Sequence, residues 1–164
     1  MNSIDKVNKL SKSDFISIFG NVFEKTDWIA QKSYDLKPYK NFEELFSKMM
    51  EVFEKTEKKK HLEILNAHPN LAIEKKLTED SKNEQKNASL NQCNDEEFIE
   101  FKKLNEEYKK KFGFPFIIAV KGKNKEEILN SFRQRITNNI NLEFEEAKKQ
   151  VKKIASFRLT EIIK

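Results

Sequence analysis

Hydrophobic positions along the chain recur three and four residues apart, with charged residues filling the intervals. Phe42, Leu45, Phe46, Met49, Val52 and Phe53 form one stripe. Phe98, Phe101, Leu104, Tyr108 and Phe112 form a second, and Ile128, Leu129, Phe132 and Ile136 a third. That spacing follows the helical turn and predicts amphipathic helices, each with one face turned to a core. Helix starts are marked as well. Asn41, Asn94 and Asn124 each stand three residues before a glutamate: Glu44, Glu97 and Glu127. Asparagine there accepts from an early backbone N–H, and glutamate suits the positive helix end. Ser13-Asp-Phe and Asn141-Leu-Glu-Phe are weaker starts of the same kind. The expectation is an all-α, single-domain bundle of about seven or eight helices over residues 1–164. Met49 and Met50 read as packing.

One segment breaks the pattern. Residues 113–122, GFPFIIAVKG, are continuously apolar from Phe114 to Val120, with Pro115 inside. The run is strand-like, yet no second strand offers to pair with it. A buried extended segment at 114–120 must still satisfy its N–H and C=O groups. Helix ends or a bound polar ligand could do so, and the run itself leaves both open.

Composition changes this picture little. Glycine and proline number only 3 each, which favours helix throughout, and 14 phenylalanines against 3 tyrosines and 1 tryptophan make phenyl rings the main core material. A fully buried Phe contributes roughly 1.5–3 kcal/mol. Charged residues make up 36%, and the mean hydropathy is −0.79. The net charge of +5 invites a nucleic-acid reading. Acidic residues interleave with the lysines throughout, however, and runs such as Lys58-Lys59-Lys60 and Lys109-Lys110-Lys111 read as solvated helix faces. No nucleic-acid partner is expected. A single cysteine, Cys93, excludes an internal disulfide and suits a reducing, cytoplasmic setting. The opening residues lack the apolar core of a signal peptide, and no apolar run approaches the ~20 residues that span a bilayer. No membrane partner is expected.

Three polar residues stand in unusual places. His68 precedes Pro69, which disfavours helical geometry at His68, so the helix carrying His61, Ile64 and Leu65 should stop there. The negative end of a helix favours protonated imidazole, and such a ring can give and take a proton near neutral pH. A capping histidine bonded to a free carbonyl is the simpler reading of the local sequence. His61, after three lysines, reads as a surface or boundary residue. Glu84 lies in Ser81-Lys82-Asn83-Glu84, which has the form of a capping box. Arg158 lies among Val151, Ile154, Ala155 and Ile162 on one helical face. A buried guanidinium needs partners, whether a ligand or a residue such as Glu161. Arg133 and Arg135 read as surface residues. No Gly-rich phosphate loop, no His-Glu-x-x-His and no Cys/His cluster occurs, so a metal site is not expected. What remains suits acid–base work on a small polar molecule.

Taken together, these motifs resemble the OHCU decarboxylases, which act on 2-oxo-4-hydroxy-4-carboxy-5-ureidoimidazoline in urate breakdown. AHPNLA, LTEDSKNEQKNASL, FKKLNEEYKKKFGFPFIIAVKGKNKEEIL and KIASFRLTEI carry the resemblance, with Phe19-Gly20 and Trp28-Ile29-Ala30 in the expected places. It covers about nine-tenths of the chain and implies one such domain over residues 1–164. It also implies an all-α bundle, commonly dimeric, that uses no cofactor and yields (S)-allantoin. By motif position the catalytic residues fall on His68, Glu84 and Arg158. Substrate-binding positions fall on Pro69, on Ser81, Lys82, Asn83, Glu84 and Gln85, and on Phe116, Ile117, Ile118, Ala119 and Val120. The chain departs from the family at Asn70, where Asp is frequent, at Ile73, where Gly is usual, and at Ser89, in place of the Gly of Ala-Gly-Leu. The alternatives are a basic helical module that binds nucleic acid, a decarboxylase of another ureido substrate, or a relative that has lost activity.

Overall fold

The computed structural model describes residues 1–72 and 78–164. Among them are nine α-helices: α1 (Ile4–Asn8), α2 (Lys12–Phe19), α3 (Asp27–Asp35), α4 (Phe42–Glu54), α5 (Lys58–Ala67), α6 (Glu79–Asn87), α7 (Asp95–Phe112), α8 (Lys125–Arg135) and α9 (Ile140–Ile162). A 3₁₀ turn, Leu90–Gln92, follows α6. The chain is all-α. It has slightly more helices than the stripes alone suggest, because two short ones precede α3.

The asparagine starts hold. Asn94 accepts from the Glu97 N–H at 2.8 Å, and Glu97 accepts from the Asn94 N–H at 3.0 Å. Asn124 and Glu127 repeat this box at the head of α8. Asn41 accepts from the Glu44 N–H at 2.8 Å. The two weaker starts are displaced by two residues. Ser11, not Ser13, caps α2 by accepting from the Asp14 N–H at 3.1 Å. Asn139, not Asn141, accepts from the Leu142 N–H at 2.9 Å as α9 begins. In both places an earlier residue offers an equally good acceptor, and the earlier register adds about half a turn of helix.

The described residues form two compact units, Met1–Ala67 with Lys152–Lys164, and His68–Val151. In the first, Phe15, Phe19, Phe23, Ile29, Leu45, Met49, Phe53, Ile64 and Leu65 are buried. His61 joins them, contrary to the surface expectation. Its Nε2 donates to the Phe53 carbonyl at 2.7 Å, and its ring meets the Phe53 ring edge-on. The cause is spacing: His61, Ile64 and Leu65 share one face of α5.

In the second unit, phenyl rings from α7 and α8 enclose the segment between them. Gly113, at φ 81°, ends α7 in the left-handed region that glycine takes without steric cost. The chain then runs through residues 114–120, every one buried, with neither helix nor strand assigned. Phe116 stacks on Phe132 with centroids 3.9 Å apart, and Tyr108 meets Phe116 edge-on at 5.4 Å. Phe98, in the first turn of α7, is 44% exposed, so the α7 core stripe begins at Phe101.

Side chains satisfy two backbone groups of this segment. Arg135 donates to the Ile117 carbonyl at 2.7 Å, and Gln150 accepts from the Ala119 N–H at 2.9 Å. Arg135 is therefore not a surface residue. It is 9% exposed, lies 4.4 Å over the Phe116 ring, and pairs with Glu143 at 3.0 Å. Glu143 is fully buried and also accepts from Tyr108 at 2.5 Å and from Asn138 at 2.9 Å. Burial and the Glu143 carboxylate push the Tyr108 phenol well above its ordinary range, which keeps it a neutral donor. The spacing Ile128, Phe132, Arg135 already put the guanidinium on the core face.

Removing one member of this pair should be costly. Arg135→Met leaves Glu143 buried and strips the Ile117 carbonyl, so the expected loss is about 3–5 kcal/mol in urea unfolding. The double change Arg135→Met with Glu143→Leu should recover much of it. Equal losses in the single and double variants would show that the pair is not the source of the cost.

Candidate functional site

His68 follows directly on the last residue of α5, where Pro69 was expected to stop the helix. It is 8% exposed, and Pro69 beside it is half-buried. After Pro69 the chain passes through Asn70 and Leu71 to Ala72, whose φ of 69° lies in the left-handed region. The departure at Ile73 lies outside the described residues.

The helix that returns beside this stretch is α6. Its start corrects the sequence reading: Thr78, not Ser81, is the cap, accepting from the Ser81 N–H at 3.2 Å. Glu79 and Asp80 fill the acidic first turn. Ser81 and Glu84 are thus not a capping box, and their place in the chain needs another account. Ser81 and Gln85 are buried and Glu84 is half-buried, one turn apart on a common face. Lys82 and Asn83 are exposed. The structure thereby separates the five predicted positions into three that face inward and two that face water.

Gln85 ties α6 to the stretch after His68. Its Oε1 accepts from the Ala72 N–H at 3.1 Å, and its Nε2 donates to the Asn70 carbonyl at 3.5 Å. From α7, Asn105 donates through Nδ2 to the Leu71 carbonyl at 3.0 Å. The sequence reading passed over Asn105. The signal was there, since an asparagine stands in the stripe Phe101, Leu104, Tyr108. Ser89, where the family carries glycine, has φ 63°, the conformation that glycine adopts most readily.

The predicted backbone segment, residues 116–120, belongs to the same unit as His68 and α6. Beyond the Ile117 carbonyl and the Ala119 N–H, the Val120 carbonyl accepts from the Lys123 N–H at 3.0 Å. The backbone groups of Phe116 and Ile118 make no hydrogen bond among the described residues.

Arg158 belongs to the other unit. It is 5% exposed, and its partner there is Glu24, at 2.8 Å, with the Asn21 carbonyl also at 2.8 Å. Glu24, 1% exposed, went unremarked in the sequence, where the partner considered was Glu161. Nothing local marks Glu24, because it lies 134 residues away. Among the described residues no group of three or more His, Cys, Asp or Glu gathers as metal ligands would. Nor is any described helix long and apolar enough to cross a membrane.

The family model described as OHCU decarboxylase matches residues 8–160. The chain belongs to the OHCU decarboxylase family. A 2-oxo-4-hydroxy-4-carboxy-5-ureidoimidazoline decarboxylase of Haloferax volcanii is 33% identical over 97% of this chain and 95% of its own. The uric acid degradation bifunctional protein of Bacillus sp. (strain TB-90) is 40% identical over the whole chain. Here the chain spans about a third of the length of the relative, as it does for the PucL protein of Bacillus subtilis. A crystal structure of (S)-allantoin synthase superposes with a TM-score of 0.83 at 26% identity, over 100% of this chain and 54% of that one. The fold is also that of an OHCU decarboxylase crystallised in the presence of (S)-allantoin, with a TM-score of 0.73 at 22% identity.

The reassigned cap is testable. Thr78→Ala should cost about 1 kcal/mol in thermal or denaturant unfolding, the usual loss for a capping hydroxyl. Unchanged stability would place the start of α6 elsewhere.

Proposed function

We propose that this chain is a carboxy-lyase that converts 2-oxo-4-hydroxy-4-carboxy-5-ureidoimidazoline to (S)-allantoin. The observation that carries the reading is a buried histidine at a helix end in a chain whose family match runs from residue 8 to 160. The stretch after that histidine is bonded to the helix that bears Ser81 and Glu84.

The chemistry has two stages. The substrate carboxylate leaves as CO₂, and its bonding electron pair passes into the neighbouring C=N. The hydroxyl on the carbon that lost CO₂ then gives up its proton to become the ring carbonyl, and the former C=N carbon, which bears the ureido group, takes a proton on one face. His68 handles that proton, its ring held at a helix end where positive charge is favoured. Glu84 accepts from ureido or ring N–H groups, with Pro69 and Ser81 lining the same substrate region. Phe116 and Ile118, whose backbone groups make no hydrogen bond among the described residues, offer fixed amide donors and acceptors. Ile117, Ala119 and Val120 complete that wall. Lys82 and Asn83, exposed on α6, complete the positions that the resemblance implies.

For Arg158 the proposal rests on the family resemblance alone. A cation that gripped the departing carboxylate most tightly before reaction would oppose the loss of charge from it. Its assigned role is therefore to orient the ring and stabilise developing charge. Glu24 and the Asn21 carbonyl fix the guanidinium for that task. No cofactor enters this scheme, and a homodimer acting in the cytoplasm completes it, again from the resemblance. Phe98, Ile99, Ile140 and Leu142 are exposed apolar side chains of the unit His68–Val151 and suit such an association.

The test is circular dichroism of allantoin formed from substrate generated in place by urate oxidase and hydroxyisourate hydrolase. Wild type should give rapid, (S)-enriched product, whereas His68→Asn should bind allantoin yet fall to the spontaneous, racemic rate. Racemic product at the spontaneous rate from both proteins would refute the decarboxylase reading. Arg158→Lys, which keeps charge but loses the planar fork, should lower kcat/KM by about tenfold, the loss of one charge-assisted hydrogen bond. An unchanged kcat/KM would make Arg158 a purely structural partner of Glu24.

A further inference from the structure

Three consecutive residues after the His-Pro pair are held from two directions. Gln85 of α6 takes the Ala72 N–H and reaches the Asn70 carbonyl, while Asn105 of α7 takes the Leu71 carbonyl between them. Both amide side chains are buried, at 8% and 3% exposed. Ala72 within the clamp sits at φ 69°, a conformation that a residue with a Cβ keeps only when its surroundings impose it.

Asn105 is the more telling of the two. Its neighbours on the α7 stripe, Phe101, Leu104 and Tyr108, are all buried and apolar in bulk. The bond from Nδ2 to the Leu71 carbonyl fixes which end of the amide is which, because a carbonyl can only accept. Oδ1 is then left buried, with no hydrogen-bond partner among the described residues. A buried acceptor without a donor opposes folding, and leucine of the same size would avoid that cost. Among the described residues, the single bond to Leu71 is thus what the asparagine contributes beyond its volume, and that bond lies three residues from His68.

We propose that Asn105, with Gln85, is a positioning residue for His68. The two amides lock the backbone at residues 70–72, and through it the reach of the imidazole toward the carbon it protonates. A proton donor must lie within hydrogen-bond distance of its target, and a misplacement of about 1 Å costs on the order of a hundredfold in rate. This inference rests on the reading of His68 as the proton-handling residue.

The experiment is the allantoin assay on single variants, with the spontaneous rate subtracted and thermal unfolding recorded for each protein. Asn105→Leu should lower kcat by about ten- to a hundredfold. KM should change little, and the unfolding midpoint should move by less than about 5 °C. Unchanged kcat in folded Asn105→Leu, or a rise in KM alone, would overturn the inference. Retained turnover in His68→Asn alone is a separate result, which removes the role of His68 itself. If Asn105→Leu does not fold, Gln85→Met reads the other arm of the clamp. A fall in kcat at constant KM supports the positioning role. An unchanged kcat, or a rise in KM alone, overturns it.

Discussion

Backbone buried without a sheet partner is the constraint from which the unit His68–Val151 follows. Residues 114–120 lie among phenyl rings, where no water can take up their amides and carbonyls. Two distant side chains take that role, Arg135 for Ile117 and Gln150 for Ala119. Placing a guanidinium at that depth then requires an anion, and Glu143 supplies it together with bonds to Tyr108 and Asn138. One extended segment thus accounts for a buried ion pair, a buried phenol and the stacked rings around them. A buried pair of this kind is weak evidence of added stability, since two apolar residues could fill the space at less desolvation cost. Its value lies in fixing one path for the chain through the core.

The helices were legible because their causes are local. Three and four residue spacing gave the faces, and Asn94 and Asn124 with their glutamates gave two starts to the residue. Pro69 gave the end of α5, and the apolar run gave a buried segment that is neither helix nor strand. The misreadings share a different cause. His61 and Arg135 were judged by their polar neighbours in sequence, when their spacing from Ile64 and Phe132 already placed them inward. Ser81 looked like a cap because a hydroxyl three residues before a glutamate is the usual sign, and Thr78 one turn earlier satisfied the same need. The partners of buried groups were not legible. Glu24 for Arg158 and Leu71 for Asn105 come from remote parts of the chain, and no periodicity encodes them.

The candidate site divides the same way. Which residue types do the chemistry could be read from short motifs, because a histidine before proline or an arginine on an apolar face is anomalous by itself. How those residues are held could not. The support is built from amides, Gln85 and Asn105, whose polarity attracts no notice until their bonds to the backbone are seen.

The ion pair of Arg158 with Glu24 has a consequence in time. It joins residues 134 positions apart, inside a unit made of Met1–Ala67 and Lys152–Lys164. The other unit is one unbroken stretch. Every contact within residues 68–151 joins parts of one continuous stretch. Residues 1–67 differ, because their unit also needs Lys152–Lys164, which holds about three turns of α9. Glu24 therefore waits, synthesised long before its arginine, and the unit that begins first needs a segment made after the whole of the other.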